Sequence, residues 1–236
     1  MSIAKHIPNT ITSLNLLAGV TGVILSLGGD PASGFICMLA AAAFDFCDGL
    51  AARLLKVSSP IGKELDSLSD VVSFGVLPAV MLYMVMYCTP LWVRFIPLLL
   101  AAFSAVRLAK FNLDTRQESD FIGLPTPASA LIAGSLCHYV SRCGGSGFSQ
   151  FAAGSPWLLP AVSLVLCALL VSELPMFGMK IKKGHKLLDA KRIVFLSLAV
   201  VSVAVSLVFG LLWSLPVLFI LLIYVLENIV LAVLSK

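Results

Sequence analysis

Four aspartates, Asp45, Asp48, Asp66 and Asp70, lie within 26 residues of a chain that is 59% hydrophobic and only 12% charged. The stretch reads DFCDGLAARLLKVSSPIGKELDSLSD. One carboxylate near the middle of a membrane helix costs about 2.5–3.5 kcal/mol on the insertion scale. Four so close would repel one another and take up protons unless cations held them ionised. One or two hard divalent ions would do so. All-oxygen ligation suits Mg²⁺, Mn²⁺ or Ca²⁺ and not zinc. Gly49, Ala52 and Gly62 are small residues where a ligand or a second backbone must come close. Arg53, one turn beyond Gly49, carries a positive charge suited to a phosphate.

Those side chains need helices to hold them. Mean hydropathy is +1.03, which places the 236-residue chain among polytopic helical membrane proteins. Eight spans are expected: about 11–28, 33–56, 60–87, 91–110, 125–142, 156–178, 193–212 and 215–234. Residues 1–10, ending Ile7-Pro8-Asn9-Thr10, read as an interfacial lead-in, and 143–155 as a Gly/Ser-rich loop. Asp30-Pro31 reads as a turn. Ser58-Ser59-Pro60 stops one helix and restarts the next, with Ser as N-cap and Pro in the first turn. The second and third helices are therefore antiparallel neighbours. Asp45 and Asp48, three apart, share one face of the second helix, and Asp66 and Asp70, four apart, share a face of the third. The two pairs can converge.

Lys and Arg in the loops set the orientation. With a cytoplasmic N-terminus, 14 of the 16 basic residues fall on the cytoplasmic side, and only Arg94 and Arg142 fall outside. Both termini and the aspartate stretch are then cytoplasmic, in a cell membrane. The basic segment 180–192 is expected to lie on the anionic leaflet surface.

The pattern Asp45-x2-Asp48-Gly49-x2-Ala52-Arg53-x8-Gly62-x3-Asp66-x3-Asp70 resembles the signature of the CDP-alcohol phosphotransferase family at all eight fixed positions. The resemblance implies an all-α membrane domain over residues 1–236. Its six-helix core covers about 7–180, and two extra helices cover about 193–234. It implies that Asp45, Asp48 and Asp66 hold one divalent cation and Asp45, Asp66 and Asp70 a second. Mg²⁺ or Mn²⁺ is expected, and Ca²⁺ can occupy the site. Asp70 would also be the catalytic base. A CDP-linked lipid would be bound by Asn9, Thr12, Gly49, Ala52, Arg53, Ser59 and Gly62. The alkoxide of an alcohol would attack the lipid-side phosphorus, and CMP would leave. A homodimer is implied; a nucleic-acid partner is not.

Three further stretches resemble the phosphatidylserine synthases of this family. They are Ile7–Leu16, Arg107–Asn112 with Gly123–Ala128, and Ser172–Phe177. This implies CDP-diacylglycerol and L-serine as substrates. Arg107, Lys110 and Asn112 are then the candidate pocket for the serine carboxylate. Glycerol 3-phosphate, inositol phosphate and choline remain open as acceptors. An ion or solute transporter built on the same carboxylates would need matching broken helices in two halves, and the sequence has no such symmetry.

Overall fold

A computed structural model describes residues 6–57, 59–87, 89–113, 121–143, 147–176 and 190–234. Its elements are α1 (His6–Leu27), α2 (Pro31–Leu55), α3 (Pro60–Asp70), α4 (Leu77–Val85), α5 (Leu91–Arg94), α6 (Leu99–Leu113), α7 (Thr126–Arg142), α8 (Gly147–Gly154), α9 (Leu158–Val171), α10 (Ala190–Val208) and α11 (Ser214–Leu234). Two two-residue strands, β1 (Phe121–Ile122) and β2 (Pro175–Met176), pair antiparallel.

The protein is an all-α polytopic membrane protein. Among the described residues, five helical stretches are long and apolar enough to cross a bilayer: His6–Leu27, Pro31–Leu55, Pro60–Val85, Leu91–Leu113 and Ser214–Ala232. Leu158–Val171 and Phe195–Val208 are shorter apolar helices, and α7 has 17 residues. The central helix is α7. It packs on α2, α4 and α11, and its small residues Ala130, Ala133, Gly134 and Ser135 are buried.

Local signals explain most boundaries. Asp30 caps α2, with Pro31 in the first turn; its carboxylate accepts from the Ser33 amide at 3.1 Å and the Ser33 hydroxyl at 2.5 Å. α2 ends where Lys56 turns left-handed at φ 52°, and the Val57 amide reaches back to the Ala52 carbonyl at 3.0 Å. Ser59 then caps α3 ahead of Pro60.

The structure differs from the sequence expectation at five places. The lead-in is not separate, because α1 already begins at His6, with Pro8 in its first turns. α2 begins at Pro31, so Asp30-Pro31 is a helix start as well as a turn. The helix from Pro60 is not uniform. A π-helical stretch, Val71–Val76, separates α3 from α4, and the Leu77 amide bonds to the Val72 carbonyl five residues back. Pro78 accounts for it, since it has no N–H to offer Phe74 and its ring crowds that carbonyl. The Gly/Ser-rich loop contains α8. The sixth helix stops at Val171, and the chain turns into β2. The basic segment lies mostly outside the described residues.

Two glycines let these elements meet. A side chain at Gly19 would collide with Ser73 of the π stretch, so α1 can lie against it only with glycine there. Gly123 has φ 76°, and a Cβ there would sit 2.8 Å from the Ser172 carbonyl and 2.9 Å from that of Leu170. Its amide donates to Leu174 at 2.9 Å, which ties the start of α7 to the end of α9.

Candidate active site

The site is built on a polar face of α1. Asn9, Thr12 and Asn15 recur every three residues and so point the same way. Each meets a different part of the aspartate stretch. Thr12 Oγ1 donates to Asp48 Oδ2 at 2.6 Å. Asn15 Nδ2 donates to Asp70 Oδ1 at 3.2 Å. Asn9 Oδ1 lies 2.8 Å from where a Cβ would stand on Gly62, so a larger residue there would displace it. The Thr12 hydroxyl also lies 3.0 Å from the Pro8 carbonyl, but it has one proton, and the carboxylate is the nearer, charged acceptor.

Three of the four carboxylates converge. Asp45, Asp48 and Asp66 each offer an oxygen, and these atoms all lie within 4.8 Å of one another. Asp45 and Asp66 are within hydrogen-bonding reach, a distance two carboxylates hold only with a shared proton or a cation between them. Asp66 Oδ1 is buried and has no hydrogen-bond partner among the described residues. Such an atom needs a donor or a metal ion. The donor set is all oxygen and fits a hard divalent cation. Asp70 stands outside the triple. It is 7% exposed and held by Asn15.

Beside the triple lies a cavity of about 270 Å³. Pro8, Asn9 and Thr12 line it from α1, and Asp48, Gly49 and Ala52 from α2. Val57, Ser59, Gly62, Lys63 and Asp66 complete the wall. The Ser59 hydroxyl accepts from the Gly62 amide at 2.9 Å, so this wall includes a capped helix N-terminus, where anions are favoured. Arg53 is exposed and folds back along α2, its Nε donating to the Gly49 carbonyl at 2.9 Å. It therefore stands at the edge of the cavity and not in its wall.

The three residues on α6 part company. Arg107 is 7% exposed. Its Nη1 donates to Thr126 Oγ1 at 3.4 Å, its guanidinium lies 5.4 Å from the Phe111 ring centre, and it interacts electrostatically with Asp70. Its Nε is buried without a hydrogen-bond partner among the described residues. Lys110 is exposed at the surface. Asn112 Nδ2 donates to Ser67 Oγ at 2.8 Å, and its carbonyl accepts from Lys63 Nζ at 3.2 Å, so it ties α6 to α3.

A sequence model of the CDP-alcohol phosphatidyltransferase family matches residues 5–171. The chain belongs to the CDP-alcohol phosphatidyltransferase family. All eight signature residues and the residues of the α1 polar face fall inside the matched region. Among the relatives is a CDP-diacylglycerol–serine O-phosphatidyltransferase of Mycobacterium leprae, 35% identical over 188 residues, covering 76% of this chain and 59% of that one. Another of that name, from Bacillus subtilis, is 34% identical over 128 residues, covering 54% of this chain and 72% of that one. An archaetidylserine synthase of Methanothermobacter thermautotrophicus is 34% identical over 137 residues, covering 55% of this chain and 57% of that one. The chain thus spans about 59% of the length of the mycobacterial relative.

Within this family site, two contacts went unread in the sequence: Thr126 meets Arg107, and Asn15 holds Asp70. Asn15 left a signal, as a third polar residue in step with Asn9 and Thr12, and Lys63, a basic residue within the aspartate stretch, lines the cavity.

Proposed function

We propose that this protein transfers the phosphatidyl group of CDP-diacylglycerol to L-serine, giving phosphatidylserine and CMP. The observation that carries the reading is that one cavity is lined by five of the eight signature residues, Asp48, Gly49, Ala52, Gly62 and Asp66. The relatives bearing the serine transferase name support the choice of acceptor.

Asp45, Asp48 and Asp66 would hold one divalent ion, and Asp45, Asp66 and Asp70 a second, Mg²⁺ or Mn²⁺ by the hardness of the donors. Such ions supply charge neutralisation on the diphosphate and on the departing phosphate. The chain's own residues do the rest. Asn9, Thr12, Gly49, Ala52, Ser59 and Gly62 seat the CDP group, and Arg53 guards its rim with positive charge. Arg107 holds the serine carboxylate, with Asn112 bracing α6 against α3 beside it. Lys110, on the surface, serves the anionic leaflet. The serine hydroxyl oxygen forms a bond to the lipid-side phosphorus, and the bond from that phosphorus to the CMP oxygen breaks. Asp70 accepts the hydroxyl proton, and CMP leaves. Positioning of the two substrates contributes most of the acceleration.

The excess of basic residues on one side supports cytoplasmic termini and a site at the cytoplasmic interface. The family resemblance supports a homodimer of one-domain subunits.

The test is CMP release by purified protein given CDP-diacylglycerol, Mn²⁺ and a panel of acceptors: serine, glycerol 3-phosphate, inositol phosphate and choline. Release with serine is expected. Asp70→Asn is expected to abolish it while CDP-diacylglycerol still binds. Release with glycerol 3-phosphate and not with serine would refute the acceptor, and near-normal turnover by Asp70→Asn would refute the base.

A further inference from the structure

Asn15 is fully buried, and its contacts are unusual for a buried amide. Its Nδ2 donates to Asp70 Oδ1 at 3.2 Å. Its backbone carbonyl accepts from Ser73 Oγ at 3.1 Å. One residue of α1 therefore grips both Asp70 and the residue one turn further on, inside the π stretch. Ser73 is itself buried and lies against Gly19, one turn along α1. Asp70 is the last residue of α3, directly before the π stretch, so the contacts from α1 fall on both sides of the point where the helical bonding changes register.

The other end of the amide supports a role beyond packing. Asn15 Oδ1 is buried and has no hydrogen-bond partner among the described residues. A purely structural amide in a protein interior has both ends satisfied. Here the donor end is spent on a carboxylate and the acceptor end is left over. An apolar side chain of the same branched outline, such as leucine, would leave no such atom unpaired, so packing alone does not favour asparagine.

We propose that Asn15 is a positioning residue for Asp70. By taking Oδ1, its amide fixes the carboxylate's rotation and leaves Oδ2 as the oxygen turned to the reacting groups. The Ser73 hydroxyl, anchored on the Asn15 carbonyl, sets the height of Asp70 in the helix. This rests on the reading of Asp70 as the proton acceptor. It places the control of that residue on α1, outside the eight-position signature.

The experiment compares wild type, Asn15→Leu and Asn15→Ser in the CMP-release assay with CDP-diacylglycerol and serine. Mn²⁺ binding is measured separately by electron paramagnetic resonance. Leucine keeps the branched outline, somewhat larger, and loses the donor; serine is smaller, keeps a polar group too short to reach Asp70 and guards against misfolding of the first variant. The expected result is a fall in kcat of about 10- to 100-fold in both, with the KM for CDP-diacylglycerol unchanged. Mn²⁺ affinity for the ion held by Asp45, Asp48 and Asp66 should also be unchanged, because those residues keep their own contacts. Unchanged kcat in either folded variant, with an active wild type, would overturn the role of Asn15 alone. A parallel loss of Mn²⁺ affinity for the ion held by Asp45, Asp48 and Asp66 would overturn it too, by assigning the residue to that cluster. A wild type that transfers to no hydroxyl acceptor would overturn the functional reading and this inference together.

Discussion

Replacing Thr12 by valine isolates one bond at the site. The hydroxyl is 3% exposed and donates to Asp48 Oδ2 at 2.6 Å. Valine has the same shape and a similar helix propensity, so α1 should fold as before. What is lost is a hydrogen bond to a charged group, which contributes about 1.5–3 kcal/mol. The hydroxyl stabilises the ionised carboxylate in the rotation a cation needs, so the loss falls on metal affinity. Converted at about 1.4 kcal/mol per decade, it is roughly a 10- to 150-fold weaker Mn²⁺ dissociation constant. That agrees with the effect of removing outer partners of metal ligands, about 10- to 100-fold. The contact to the Pro8 carbonyl at 3.0 Å does not change the sum, because that carbonyl already serves the helix. The assay is an Mn²⁺ titration of purified protein in detergent, read by electron paramagnetic resonance, beside the Mn²⁺ dependence of CMP release. Turnover should recover at saturating Mn²⁺. A folded Thr12→Val protein with wild-type Mn²⁺ affinity would refute the reasoning, since it would mean that Asp48 needs no orientation from α1.

Arg107→Ala should raise the serine KM at least about tenfold, the value of one charge-assisted hydrogen bond, and leave the KM for CDP-diacylglycerol nearly unchanged; the reverse split in CMP-release kinetics removes Arg107 from the acceptor pocket. Gly134→Ala puts a Cβ 2.5 Å from Phe35 Cδ2 and 3.0 Å from Met38 Sδ. Phe35 is fully buried against Trp213 and cannot yield, so overpacking of about 1–3 kcal/mol should exceed the helix gain of about 1 kcal/mol and lower the melting temperature in detergent. Asp30 has its carboxyl held below the ordinary value of 3.8, chiefly by the Ser33 hydroxyl and then by the Ser33 amide. A lowered folded value means that the cap's stabilisation is present above about pH 4 and fades as pH falls through the folded value. Amide protection factors in the first turn of α2 should therefore drop on acidification in wild type and stay flat in Asp30→Asn, which caps without titrating.

The aspartate pairs, the helix restart at Ser59-Pro60 and most helix limits were legible in the sequence because they rest on local physics. Spacing of three or four puts residues on one helical face, and capping is decided within one turn. The start of α1 was misread because Pro8 looks like a break, yet proline is tolerated in a first turn. The β1–β2 bridge had no period to detect, being two residues on each side. Its formation depends on Gly123, whose positive φ answers to three carbonyls from the end of α9.

Tertiary structure alone brings Asp45, Asp48 and Asp66 into one cluster and leaves Asp70 beside it, held by Asn15. Their spacing suggests two facing pairs, and only the family signature implied a separate role for Asp70. The division comes from the approach of α1, which gives Thr12 to Asp48 and Asn15 to Asp70, and from the π stretch that follows Asp70. Both depend on contacts between residues 36 and 55 positions apart. Residue types and spacing therefore determined which oxygen-rich chemistry this chain can carry, through local geometry. Where each carboxylate stands relative to the others was decided only when a glycine let one helix lie against another.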